Sequence, residues 1–202
     1  MDQDIKVKKA RFIADSTEIR ETFGFAKPEQ VLRAVRLYCS HYYGGMLWDL
    51  TSELAGQFFR TWNTCVKLSY DIPRSTHTYL VQNSLASDFL PVKTELMARY
   101  TKFYKSLQNS STEISVLVNI VSKDARSTTA RNLALISEET GSDAKFLTPV
   151  QVRQLVKVPP TPVNHMWRAP LLFKLLQERS DMEQSLQDTK VITTVINSLC
   201  SS

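Results

Sequence analysis

Glycine is scarce in this chain: five residues in 202. That leaves no glycine-rich loop to cradle a phosphate, and no G-x-S-x-G elbow to present a nucleophilic serine. Cysteine is scarcer still. Cys39, Cys65 and Cys200 are far apart and odd in number, with no Cys-x-x-Cys pair and no neighbouring histidine pair. A disulfide framework or a zinc knuckle does not fit that spacing. Buried reduced thiols do, and they suit a cytoplasmic or nuclear protein. The histidines His41, His77 and His165 are not spaced as metal ligands. Nowhere do two aspartates stand side by side, as two-metal phosphoryl chemistry would use them. No run of about 18 apolar residues occurs, so no membrane span is expected. The opening MDQDIKVKKARF is charged and lacks the apolar stretch of a secretory signal. The expectation is a chain with no catalytic apparatus and no cofactor.

What is present reads as helix. Apolar residues make up 43% and charged residues 22%, ordinary values for a globular chain. Apolar residues recur at three- and four-residue spacings, and long β-type alternation is missing. The fold expected is all-α, a multi-helix bundle with a three-helix N-terminal part and a helical C-terminal extension.

The first helix is expected from Ile5 to Glu21, kinked near Asp15-Ser16 and ended by Gly24. Pro28 opens a second, with Val31, Leu32, Val35, Cys39 and Tyr42 on one stripe and Arg33 and Arg36 off it. This helix runs into His41-Tyr42-Tyr43-Gly44-Gly45. One of the two glycines there can take the left-handed conformation that closes a helix, and the other permits a close approach. Met46-Leu47-Trp48 is expected as a short extended segment docked inward. Thr51 or Asp49 then caps a third helix over 52–69, with Leu54, Phe58, Trp62 and Cys65 or Val66 buried. Arg60 and Lys67, two turns apart, are expected to point the same way. A short helix over 77–86 follows Asp71-Ile72-Pro73-Arg74.

A fifth helix spans Pro91 to Leu107, with Leu96, Tyr100, Phe103 and Leu107 inward. Ser110-Ser111-Thr112-Glu113 reads as a capping box before ISVLVNIV, expected as a buried helix. Thr128 or Thr129 opens a helix ending at Gly141, and Thr148-Pro149 a short one through Val156. The segment 158–162, VPPTP, is a stiff linker. Residues 163–202 read as a helical tail, amphipathic from Leu186 to Leu199.

Charge and aromatic content are unevenly placed. Residues 1–105 carry 15 Lys+Arg against 11 Asp+Glu, a net of +4; residues 106–202 carry 10 against 9, a net of +1. Sixteen of the 19 aromatic residues also lie in the first 105. Either this half presents a nucleic-acid face, or its aromatics build a core that the charges solvate. On the first reading, Arg33, Arg36, Arg60, Lys67 and Arg74 are the candidates for phosphate contacts. Helix N-terminal amides near Ser75-Thr76 could add an anion contact. The Ser/Thr/His of Arg74-Ser75-Thr76-His77 otherwise read as helix-capping groups.

In order along the chain stand MDQDIKVKKARFI, AKPEQVLRAVRLYCSHYYGGMLWDL, WNTCVKLSYDIPRSTHTYLV, KDARSTTARNL and a closing Trp167-Arg168-Ala169-Pro170 to Val195-Ile196-Asn197-Ser198-Leu199-Cys200. This ordered set resembles the region after the palm in reverse transcriptases of non-LTR (LINE-type) retrotransposons. The match covers nearly the whole chain; its specificity lies in the order, not in any single motif. The chain departs from the pattern at Gly45, where relatives often carry another small polar residue.

The resemblance implies a thumb-like helical subdomain at 1–70 and a post-thumb helical region at 71–157. The linker at 158–162 and the tail at 163–202 would follow. Gly44, Gly45 and Trp48 would form a structural joint. It further implies template–primer binding, to RNA or an RNA–DNA duplex, without polymerase activity, since a palm with paired aspartates is missing. Two alternatives stand beside it. One is a helical protein-interaction module using residues 181–202; the other is a functionless retroelement remnant.

Overall fold

The structure, a computed structural model, describes residues 2–24, 26–39, 42–78, 80–81, 91–156 and 181. Among these the chain is all-α, with no strand. In chain order come α1 (Asp2–Thr22), α2 (Pro28–Cys39), a 3₁₀ turn (Gly45–Leu47) and α3 (Glu53–Ser69). Then follow α4 (Val92–Gln108), α5 (Thr112–Val121), α6 (Thr128–Thr140) and α7 (Pro149–Leu155). Most of the helix expected at 77–86, the linker at 158–162 and nearly all of the tail at 163–202 lie outside the described residues.

Helix α1 is unbroken. The hydroxyl of Ser16 is buried and donates to the Ile13 carbonyl (3.2 Å), while Asp15 pairs with Arg11 one turn earlier (3.5 Å). Both polar side chains are thus satisfied within the helix, which runs without interruption from Asp2 to Thr22. Ile5, Phe12 and Ile19 are buried together with Ser16, whereas Ile13 is exposed. On α2 the buried stripe is Val31, Leu32, Val35 and Cys39, as its spacing predicts.

Helices α1, α2 and α3 close around an aromatic cluster. Phe58 meets Phe12 (5.7 Å between ring centroids), Tyr42 (5.4 Å) and Trp48 (5.3 Å), the last two edge-to-face. Phe12 also contacts Trp62 at 5.3 Å. Edge-to-face pairs of this kind add about 0.5–1.5 kcal/mol each beyond the area they bury. One cluster of buried residues runs on from here, through Leu96 and Met97 of α4, to Ile136 and Val152.

The caps differ in detail from the sequence expectation. Ser52, not Thr51 or Asp49, caps α3, its hydroxyl accepting from the Ala55 amide (3.2 Å). The Asp49 carboxylate is taken instead by the Thr51 amide (3.0 Å) and hydroxyl (2.6 Å). The C-terminus of α3 is a Schellman closure: the Asp71 amide donates to Leu68 (3.2 Å) and the Ile72 amide to Lys67 (2.7 Å). Asp71 takes the left-handed position, at φ 54°. Helix α6 is capped by Ser127 and ends at left-handed Gly141 (φ 68°). Thr148 and Gln151 form a reciprocal capping box on α7, with Pro149 as its first residue.

Helix α5 overturns one expectation outright. It is a helix, but none of its residues is buried. Ser111 occupies the cap, but its side chain accepts from no backbone amide of the first turn, so the capping box expected from Ser110 does not form. Ile114, Val116, Leu117 and Ile120 are 41%, 52%, 59% and 62% exposed. The run ISVLVNIV is apolar around most of its circumference. Packing on α4, with Val118 half-buried against the core, covers only one side.

Candidate nucleic-acid interface

The double glycine does not close α2, which ends at Cys39. Gly44 (φ 86°) is the left-handed residue that opens the 3₁₀ turn. Gly45 allows the close approach: a Cβ there would sit 2.8 Å from a methyl of Leu96 and 3.3 Å from the Tyr42 Cβ. The expected extended segment at 46–48 is therefore a single 3₁₀ turn, with only Trp48 extended (ψ 148°). Leu47 points to solvent, while Trp48 is buried and its indole N–H donates to Asp4 of α1 (2.7 Å).

Immediately after the turn the chain is clamped by α6. The Asn132 side chain is fully buried: its Oδ1 accepts from the Leu50 amide (2.9 Å) and its Nδ2 donates to the Trp48 carbonyl (2.8 Å). Asp49, between them, takes two hydrogen bonds from Arg131 (3.1 and 2.6 Å). Burial alone would raise the Asp49 carboxyl. The hydrogen bonds from Thr51 and Arg131 outweigh it and hold the group below its ordinary value. Residues 48–50 are thus tied to Arg131 and Asn132 of α6, more than 80 residues away in the chain.

The basic residues divide into three groups. Along one side of the bundle α1 and α3 run parallel, Lys9 donating to Gln57 (3.0 Å) and Arg20 lying beside Cys65 and Leu68 further on. Between them lies a groove of about 540 Å³. Four cations line it, Lys9 and Arg20 from α1, Arg60 from α3 and Arg74 from the loop beyond, and among the described residues no aspartate or glutamate does. Lys9 and Arg20 are eleven residues apart, about 16 Å along the helix. Arg60 pairs with Glu53 (2.5 Å), but both side chains are largely exposed, and such a pair contributes little and exchanges readily. Neither Arg20 nor Arg74 has a carboxylate partner among the described residues.

Arg33 and Arg36 are not in this groove. They line a smaller hollow of about 230 Å³ on α2, shared with Glu29 and Tyr70, where the charge is mixed. Lys67 is in neither place. It is 7% exposed, and its amine donates to the carbonyls of Arg74 (3.3 Å) and Thr76 (2.5 Å). Burial lowers its pKa. The expectation that Lys67 points outward with Arg60 is thus corrected. Seven residues make two turns only to within about 20° of rotation, and the returning loop covers this position.

The sequence reading missed Lys9 and Arg20. Lys9, Ile13, Ser16 and Arg20 follow a 4-3-4 spacing, so the shared face was legible. That α3 lies alongside it was not.

No match answers the question of kinship. The chain matches no known family model, no curated protein and no solved structure. Among the described residues no helix is long and apolar enough to cross a membrane, and no cluster of His, Cys, Asp or Glu could hold a metal ion.

Proposed function

We propose that this chain binds nucleic acid through the groove between α1 and α3. It would do so as a non-catalytic fragment corresponding to the thumb and post-thumb region of a non-LTR retrotransposon reverse transcriptase, working in the cytoplasm or nucleus. The ligand is the phosphate backbone of an RNA or RNA–DNA duplex. One observation carries the reading: four cations from three segments converge on one groove that no carboxylate lines among the described residues. Scattered surface charge on a helical bundle ordinarily mixes signs, as the Arg33–Arg36 hollow does with Glu29. A groove of one sign concentrates polyanions and draws affinity from counterion release. The ordered resemblance along the sequence supplies the duplex as the polyanion.

Fluorescence anisotropy against a labelled RNA–DNA primer–template, over a salt series, tests this. The log–log slope should reflect about −0.9 per duplex phosphate neutralised. The pair Arg20→Glu with Arg74→Glu should weaken binding and reduce the magnitude of the slope by about 2. Binding that does not vary with salt, or that this pair leaves unchanged, removes the groove as the site.

A second reading, a helical protein-interaction module, is favoured by the apolar face of α5. It requires the chain to associate, with itself or a partner, in a way that a charge placed at Leu117 abolishes. Mass measurement in solution before and after Leu117→Lys, and after removal of residues 181–202, distinguishes the surfaces.

A further inference from the structure

Resting on the groove reading above, we infer that Lys67 is a positioning residue for nucleic-acid binding: its amine sets the loop that carries Arg74 into the groove. Three features place it there. The first is the double grip of Lys67 on a single loop. Its backbone carbonyl accepts from the Ile72 amide (2.7 Å), and its amine donates to the carbonyls of Arg74 (3.3 Å) and Thr76 (2.5 Å). The second is the absence of any carboxylate partner for this buried cation among the described residues. Its charge is met by backbone carbonyl dipoles, so it lies inside the loop as a strut. The third is the position of the loop it holds. Tyr70 and Ile72 are buried at the near end, and the Thr76 amide returns to the Pro73 carbonyl (2.9 Å). Arg74 lies between these anchors, exposed, at the edge of the groove.

The chemistry follows from lysine's form. A single ammonium carries three donors on a long apolar stem, so it can leave the core of the bundle and bond two carbonyls at once. Fixing residues 73–76 beforehand means that Arg74 loses less conformational freedom when it meets a phosphate. Lys67 therefore contributes to the affinity of a ligand it does not touch.

The test compares salt slopes for the full chain and its variants on the RNA–DNA primer–template. Arg74→Ala removes one phosphate contact and should reduce the slope by about 1. Lys67→Met keeps the apolar stem and deletes the amine; it should reduce the slope by the same amount. The double variant should show no more loss than either single one. Limited trypsin digestion, which cuts after Arg74, gives a readout independent of binding: that bond should resist cleavage in the parent chain and become labile in Lys67→Met. Lys67→Gln, too short to span both carbonyls, serves if the methionine variant fails to fold.

If the parent chain binds without salt dependence, the groove reading itself has failed. If it binds and Arg74→Ala flattens the slope while Lys67→Met and Lys67→Gln do not, the positioning role is overturned. Losses at Lys67 and Arg74 that add to about 2 would make Lys67 a direct contact, and would overturn it equally.

Discussion

Asn132 offers the most direct perturbation of the joint. Its amide is fully buried and satisfies two backbone groups of the segment after the 3₁₀ turn, the Leu50 N–H and the Trp48 carbonyl. Asn132→Ala removes both partners. Each buried backbone group left unmatched costs about 1–3 kcal/mol, so the pair costs about 2–6 kcal/mol before any relaxation. The neighbouring Asp49–Arg131 pair still ties the segment to α6 (2.6 Å) and limits how far the two groups can move to find water. A loss of about 4 kcal/mol is the expectation. Urea denaturation followed by helical circular dichroism reads it as a fall in midpoint at constant m. In a thermal scan, at about 2–4 °C per kcal/mol for a chain of this size, the midpoint should drop by about 8–16 °C.

Asn132→Asp sharpens the test. It keeps the acceptor for Leu50 but turns a second carboxylate oxygen toward the Trp48 carbonyl. It should be at least as damaging at pH 7 and recover part of the loss near pH 4, where the protonated acid can donate. A change below about 1 kcal/mol in both variants would refute the clamp.

Glu95 of α4 takes hydrogen bonds from Arg99 (3.0 Å) and from Arg153 of α7 (2.9 and 3.2 Å). Burial pushes its pKa up, but the hydrogen bonds and charges of Arg153 and Arg99 prevail and hold it below the ordinary 4.5. A depressed folded pKa gives stability that is complete above the unfolded value and fades as pH falls through the folded one. Stability should therefore decline below about pH 4.5, and Glu95→Gln should flatten that part of the profile; an unchanged acid limb refutes the pairing. On α5, Leu117→Lys should change the stability of the isolated chain by no more than about 0.5 kcal/mol, because that side chain is 59% exposed. A larger loss in urea denaturation would mean that this face is covered in solution.

Local rules carried most of the helical description. Pro28 and Pro149 do open helices, and Gly141 does close one, because a missing amide hydrogen and a missing Cβ act within a single turn. The stripe on α2 follows from spacing alone, as do Phe58, Trp62, Cys65 and Val66 on α3, but in the first turn of α3 Ala55 is buried and the expected Leu54 only half-buried. Where two capping residues compete, as at Asp49, Thr51 and Ser52, the sequence left the choice open. There the Thr51 amide and hydroxyl take one Asp49 oxygen, and Arg131, 82 residues away, takes the other.

Burial is where local reasoning ended. The run ISVLVNIV is apolar enough for a core, yet it lies at the surface because α4 covers only one side of it. Lys67 is charged enough for the surface, yet it is inside because the Schellman turn at Asp71 brings the chain back over it. The cations follow the same division. Sequence grouped Arg60 and Arg74 with Arg33, Arg36 and Lys67, and left out Lys9 and Arg20, although their spacing puts them on one face of α1. Only the parallel packing of α1 on α3 gathered them into one groove and left Arg33 and Arg36 elsewhere. The physical reason is one of range. Backbone propensity and side-chain period act over a few residues and fix which helices form. Which faces meet is decided by contacts between segments far apart in the chain, and those contacts assemble the groove.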